Sequence, residues 1–114
     1  MHPQISISEL YQLKNKKDKI KTNTFNVLLE KCHAKIKNIA KHGGMNVFFE
    51  VPYILVGYPL YDINDSIEYL VNALRKNGLM VQILPKPNQN TLYISWKPTD
   101  VNVPKQLKTS RPFY

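Results

Sequence analysis

Acidic residues, cysteine and long apolar runs are all scarce in this chain. Eight Asp and Glu stand against 16 Lys and Arg, a formal net charge of +8. The single cysteine, Cys32, excludes an internal disulfide and fits a reducing compartment. No apolar run approaches the roughly 20 residues that span a membrane, and the first ten residues lack the pattern of a secretory signal. We therefore expect a soluble intracellular protein with no membrane span.

The basic residues are concentrated at the two ends of the chain. Residues 1–42 carry nine lysines against three acids, a net charge of +6, whereas residues 43–96 have a net charge of −1. Residues 97–114 carry +3. This asymmetry indicates an anionic partner, which is nucleic acid, an acidic protein surface or a lipid headgroup layer. The alternative is that the lysines are simply solvated.

The residue patterns that carry catalysis or bind cofactors are missing. The four glycines do not form a phosphate-binding loop, and Cys, His and acidic residues do not have metal-ligand spacing. Cys32 and His33 are neighbours on a predicted helix, so their side chains diverge by about 100°, and Cys32 belongs to an apolar stripe. Asp62 and Asp65 are explained by capping of a helix. We expect no catalytic residues, no metal, no cofactor and no enzymatic activity.

The stretch 45–96 contains most of the structural signals. Alternating apolar residues predict a strand over 45–51, closed by Pro52. An apolar stripe of helical period predicts a helix over 62–77, with an acidic start and Gly78 after its end. Two further strands are predicted over 79–84 and 91–96, joined by a turn-rich segment. The unit is strand–helix–strand–strand.

Upstream, the pattern predicts two helices. Ser6 or Ser8 caps the first, and a second helix ends near His42 with an apolar stripe over four turns. Between them the run 14–21 has five lysines in eight residues, which predicts either an exposed helix or a hinge.

The sequence thus predicts an α+β fold, in which two N-terminal helices precede a strand–helix–β-hairpin unit with a small antiparallel or mixed three-stranded sheet. A winged-helix-like arrangement is the alternative, with 62–77 as recognition helix and 86–90 as wing tip, although the acidic start of that helix opposes base readout. The predicted core comprises Phe25, Leu29, Cys32, Ile36, Val47, Phe49, Ile67, Leu70, Leu74, Val81, Ile83, Leu92, Ile94 and Trp96.

We predict one domain over 1–96, made of a basic helical region (1–42) and the β-α-β-β unit (45–96), followed by an extended, Pro-containing basic tail (97–114). The segment 53–61, YILVGYPLY, is too apolar for an ordinary loop. It either packs on the sheet or forms a partner surface, for which the candidates are Tyr53, Tyr58 and Tyr61.

Several short motifs together carry a family resemblance. FEVP (49–52), GYPLYD (57–62), IEYLVNALRKNG (67–78) and LYISW (92–96), with LLEKCHAKI (28–36) upstream, resemble a family of small proteins encoded by nucleocytoplasmic large DNA viruses. The resemblance covers roughly residues 5–96. It implies a viral context, in the host cytoplasm, the viral factory or the virion, and it assigns no activity and no catalytic residues.

The leading functional hypothesis is a small, non-enzymatic, basic module that contacts DNA or RNA without strong sequence preference. The residues expected to bind nucleic acid are Lys14, Lys16, Lys17, Lys19, Lys21, Lys31, Lys35, Lys37 and Lys41. The alternative is a structural or adaptor protein of the virion or viral factory, which binds another viral protein or a second copy of itself.

Overall fold

The computed structural model describes residues 6–103. It contains the elements α1 (Ile7–Lys41), β1 (Asn46–Glu50), α2 (Ile63–Lys76), β2 (Met80–Ile83) and β3 (Thr91–Ser95). The strands form one antiparallel sheet in the order β1-β3-β2. The predicted α+β class and the strand–helix–hairpin unit are confirmed, and the sheet is antiparallel throughout.

The N-terminal region is one continuous helix where the sequence predicted two. α1 has 35 residues, which at 1.5 Å per residue gives a length of about 50 Å. Its first turn is capped by Ser6, whose Oγ accepts from the Glu9 backbone N–H at 3.0 Å. The lysine run does not interrupt the helix because it contains no Gly or Pro and is rich in residues with good helix propensity.

Both helices end in a glycine with positive φ. Gly43 has φ +90° and Gly78 has φ +88°, a region in which other residues are strained. After α2, the Leu79 N–H donates to the Leu74 carbonyl at 3.2 Å and the Gly78 N–H donates to the Arg75 carbonyl at 3.0 Å. These bonds satisfy the free carbonyls of the last turn and direct the chain into β2.

The two helices lie on the same face of the sheet. α1 contacts β1, α2 contacts β2, and the helices contact each other. The register pairs Val47 with Ile94 and Phe49 with Leu92, so the buried side chains of neighbouring strands share the inner face. The core is formed by this face and one stripe from each helix.

Most of the predicted core is buried, with one clear error. Ile83 is 49% exposed because it ends an edge strand beside an open groove that α2 does not cover. Leu29, Ile36 and Trp96 are half-buried and pack against the core. Four buried apolar residues were not predicted: Leu28, Val51, Leu55 and Val71.

The first part of the predicted tail is held to the sheet. Ser95 Oγ donates to Asp100 Oδ2 at 2.6 Å, and the Asp100 N–H donates to the Lys97 carbonyl at 2.8 Å. The remainder of that tail, residues 104–114, lies outside the described residues.

Candidate nucleic-acid interface

The N-terminal half of α1 extends beyond the sheet. Every side chain from Ile7 to Asn23 is exposed, and the first buried residue of the helix is Thr24. We call residues 7–23 the projecting segment. Apart from the contacts of Lys21, which are described below, the segment buries no side chain against the rest of the domain, so its helicity depends on the packed half of α1, which supplies the nucleus from which the helix propagates.

All nine predicted lysines are exposed on α1, but they do not form one face. At 100° per residue, Lys16, Lys19, Lys37 and Lys41 point away from the sheet. The remaining five lysines lie either on the flanks of the helix or on the side that continues the core stripe. They are Lys14, Lys17, Lys21, Lys31 and Lys35.

Lys21 has a structural contact. Its Nζ donates to Asp65 Oδ2 at 2.9 Å and lies 5.8 Å from the centroid of the Phe25 ring. The hydrogen bond to Asp65, together with the negative charge of that carboxylate, raises the pKa of the Lys21 ammonium. Lys21 therefore fastens α1 to the start of α2, and its charge is already partly balanced.

Lys35 also has a partner within the fold. Its Nζ donates to the Phe48 carbonyl at 2.8 Å. β1 is an edge strand, and the backbone carbonyl of Phe48 points away from β3. Lys35 covers part of this open edge and so protects it from pairing with another chain.

Four lysines of the projecting segment remain available for a partner: Lys14, Lys16, Lys17 and Lys19. Within residues 6–103 the structure shows one ion pair, that of Lys21 with Asp65. The only acids of the projecting segment are Glu9 and Asp18, which leaves the segment with a net charge of +3. This is the most concentrated uncompensated charge in the described part of the chain.

The three candidate tyrosines have different environments. Tyr53 and Tyr58 are exposed, at 62% and 44%. Tyr61 is half-buried, its hydroxyl donates to the Pro52 carbonyl, and its ring meets Phe25 edge-on at a centroid distance of 6.1 Å. Burial raises the pKa of the Tyr61 hydroxyl. Tyr53 and Tyr58 are therefore accessible, whereas Tyr61 holds the segment 53–61 against α1.

Sequence reasoning about this segment overlooked its aliphatic residues. Val56 is 92% exposed and Leu60 is 83% exposed, more than either accessible tyrosine. Leu60 and Pro59 line an open groove of about 340 Å³ together with Lys17 and Ile20 of the projecting segment. The only available signal was the density of apolar residues in the segment, which has no period to indicate which of them face solvent.

The exposed side of α2 does not suit a recognition helix. Its exposed residues near the N-terminus include Asp65 and Glu68, and Arg75 is held by a 2.8 Å hydrogen bond to the Val81 carbonyl. Asn90 belongs to the predicted wing tip 86–90, but it is buried at the base of the β2–β3 turn, and its side-chain amide donates to the Val51 carbonyl. The element order fits the winged-helix-like alternative, but the charge on α2 would repel phosphates.

Cys32 is unsuited to nucleophilic chemistry. It is fully buried in the core, and desolvation raises the pKa of its thiol to about 11. The reactive form, the thiolate, is therefore scarce at neutral pH. Across residues 6–103, no three His, Cys, Asp or Glu side chains are grouped so that they could hold a metal ion.

These observations define a small α+β protein with a basic helical projection. The family model of DUF5759, a family of unknown function, matches residues 5–75, and the chain belongs to this family. The match covers α1, β1 and most of α2. No curated protein and no solved structure matches the chain. In the described part of the chain, neither helix is both long and apolar enough to cross a membrane.

Proposed function

We propose that this protein is a non-enzymatic binding module that contacts nucleic acid through the projecting segment, without strong sequence preference. The observation that carries the proposal is that Lys14, Lys16, Lys17 and Lys19 are exposed on a helix that stands clear of the domain. A helix of this width enters the major groove of duplex DNA, where phosphates line both of its flanks. Lysines on several sides of the helix suit that environment, and they neutralise phosphates without reading bases.

The direct test is a fluorescence-anisotropy titration of the full chain with a 20-base-pair duplex and a 20-nucleotide single strand at two salt concentrations. Each phosphate neutralised on a duplex contributes about −0.9 to the log–log slope of affinity against salt. Changing Lys14, Lys16, Lys17 and Lys19 to Gln should flatten the slope by about 3 to 4 and weaken binding to all sequences alike.

The matched control carries the same change in charge elsewhere: Lys76, Lys86, Lys97 and Lys105 changed to Gln. This variant should keep most of the affinity and a steeper salt dependence than the first. Equal losses in the two variants would mean that net charge alone drives binding. If the unaltered chain shows no binding at low salt, the proposal is wrong.

A second candidate function, an adaptor that binds another protein, is favoured by the exposure of the segment 53–60. Val56, Leu60, Tyr53 and Ile54 are all more than 60% exposed, and together they form an apolar surface of the kind found at protein interfaces. Light scattering and cross-linking would test it. A strictly monomeric protein from which no partner is recovered would count against it.

The resemblance to proteins of large DNA viruses supplies a context for both candidates. A viral genome or transcript would be the nucleic acid, and another viral protein would be the adaptor's partner. The corresponding places of action are the host cytoplasm, the viral factory and the virion.

A further inference from the structure

The projecting segment carries an apolar stripe as well as lysines. Leu10, Leu13, Lys17 and Ile20 follow one another at intervals of three, four and three residues, the a and d spacing of a heptad repeat. Leu10, Leu13 and Ile20 are 51%, 62% and 43% exposed, so the stripe is open to solvent. At its end, Ile20 lines the groove that Leu60 and Pro59 complete.

This stripe has the form of a helix-docking surface. In the packed half of the same helix, apolar residues at comparable spacing, such as Phe25, Leu28 and Cys32, are covered by the sheet and α2. The projecting segment repeats the spacing with Leu10, Leu13 and Ile20, has Lys17 at the remaining position, and leaves this row open to solvent. Exposed apolar residues at such spacing are how one helix seats another.

The charges beside the stripe specify the partner. With Leu10 and Leu13 at positions a and d, the flanking e and g positions hold Lys14, Lys16 and Lys21, preceded by Glu9 at g. In paired helices the e and g residues of one helix meet those of the other, so they select partners of opposite charge. The lysines therefore require acidic residues on the facing helix.

The same charges disfavour the two occupants that this chain could itself supply. Parallel pairing of two copies would set Lys16 of one against Lys21 of the other and Lys17 against Lys17, with Glu9 against Lys14 as a favourable contact, and the two segments, each with a net charge of +3, would repel each other. The last residues of the chain also contribute positive charge, from Lys105, Lys108 and Arg111. A second copy and the chain's own C-terminus are both repelled.

We propose that an acidic amphipathic α-helix of a different protein docks on Leu10, Leu13, Lys17 and Ile20. The inference gives the adaptor interpretation a defined surface and a partner chemistry. It does not depend on the nucleic-acid proposal, although the two ligands would compete for the same lysines.

The probe is a synthetic 21-residue peptide with Leu at a and d and Glu at e and g, compared with the same peptide carrying Lys at e and g. We expect the full chain to bind the Glu peptide and not the Lys peptide. The double substitution Leu13→Gln and Ile20→Gln should weaken binding by about a hundredfold, since it removes two apolar anchors from the interface. The control Met45→Gln and Ile83→Gln, which alters two apolar residues of similar exposure outside the stripe, should leave the affinity unchanged.

A charge swap separates docking from simple adsorption. Lys14→Glu and Lys16→Glu should reverse the preference between the two peptides while preserving the helix content. Three results would overturn the inference. The first is Glu-peptide binding that is insensitive to the Leu13 and Ile20 substitutions. The others are a dimer in sedimentation equilibrium that these substitutions dissociate, and binding to phosphatidylserine vesicles that needs the same two residues. Duplex DNA binding by the Leu13→Gln, Ile20→Gln variant should match that of the unaltered chain, so the nucleic-acid proposal stands or fails separately.

Discussion

Lys21 and Asp65 are joined at the point where α1 leaves the domain, with the lysine Nζ 2.9 Å from the carboxylate Oδ2. Asp65 lies in the first turn of α2, which begins after the N-cap residue Asp62. The pair therefore connects the last supported turn of α1 to the start of the second helix. N-terminal to Lys21, every described side chain of α1 is exposed.

This ion pair should contribute little to global stability. Its two side chains are 46% and 51% exposed, and exposed pairs contribute little because water and salt screen them. Lys21→Met should therefore shift the midpoint of urea unfolding only slightly, and the shift should fade in high salt. By contrast Asp62→Ala, which removes the side chain that accepts from the Asp65 N–H, should cost about 0.5–2 kcal/mol. A larger loss from Lys21→Met than from Asp62→Ala would contradict this ranking.

Truncation of the core should be far more costly. Leu70 is fully buried and Phe49 is 8% exposed, so either change to Ala should destabilise the domain by roughly 2–5 kcal/mol. Val56→Ala, at a position that is 92% exposed, should stay within about 0.5 kcal/mol of the unaltered protein. Urea unfolding followed by the fluorescence of the half-buried Trp96 measures all three. An unchanged midpoint for Leu70→Ala would mean that α2 packs by another face.

Glycine substitutions should show that the two halves of α1 contribute differently to the stability of the domain. Lys19 and Ala34 are both exposed helical positions, one in the projecting segment and one in the packed half. Ala34→Gly should lower global stability by about 1 kcal/mol. Lys19→Gly should reduce the ellipticity at 222 nm but leave the unfolding midpoint unchanged, because the segment buries nothing that unfolding must expose. Equal midpoint shifts would show that the segment packs in solution.

Cys32 should react only when the protein unfolds. Its raised pKa of about 11 leaves only about one thiol in a thousand ionised at pH 8, and the side chain is fully covered. Labelling with iodoacetamide should therefore follow the rate or extent of global opening, and denaturant should accelerate it strongly. Rapid labelling of the native protein would contradict the buried position.

The same thiol makes stability depend on pH. In the unfolded chain the thiol has its ordinary pKa of 9.0, and burial raises this pKa to about 11 in the folded chain, so the unfolded state loses its proton first. Stability from this group is complete below pH 9, falls between pH 9 and 11, and is then lost. The unaltered protein should lose on the order of 2–3 kcal/mol more over this window than Cys32→Ala. Parallel pH-dependent denaturation curves for the two proteins would contradict the prediction.

The local elements of this fold are predictable from the sequence because their signals are local. The cap at Asp62, the stripe through Leu70 and Leu74, and Gly78 after the last turn fix α2 to within one residue at each end. The alternation through Val47 and Phe49 likewise identifies β1. None of these signals needs information from distant parts of the chain.

The rest depends on tertiary contacts. Val51 and Leu55 are buried although they follow the strand, because the backbone of Val51 continues the ladder to Asn90 and the loop then turns inward. Ile83 lies two residues after the buried Val81, as the strand alternation predicts for a core position, but α2 does not cover it and its side chain is exposed. Helical spacing placed Leu28 on the stripe, but only the position of the sheet shows that it is buried more deeply than Leu29.

The candidate site was predicted only in outline. The sequence indicated which lysines are on α1, but nothing local showed that Lys21 meets Asp65, 44 residues away, or that Lys35 reaches the edge of β1. The exposure of Leu10, Leu13 and Ile20 depends on where the sheet ends relative to the helix. The position of the sheet edge along α1 is a tertiary feature, which the sequence alone does not show.

The strand order β1-β3-β2 has a consequence for how the protein is made. Within the described chain β1 pairs only with β3, which leaves the ribosome about 40 residues later. Until then Val47 and Phe49 of β1 have no partner strand on either side, which favours pairing with other chains. The sheet is therefore complete only after residue 95 has been made, and ribosomes stalled before residue 91 should carry chains that need a chaperone.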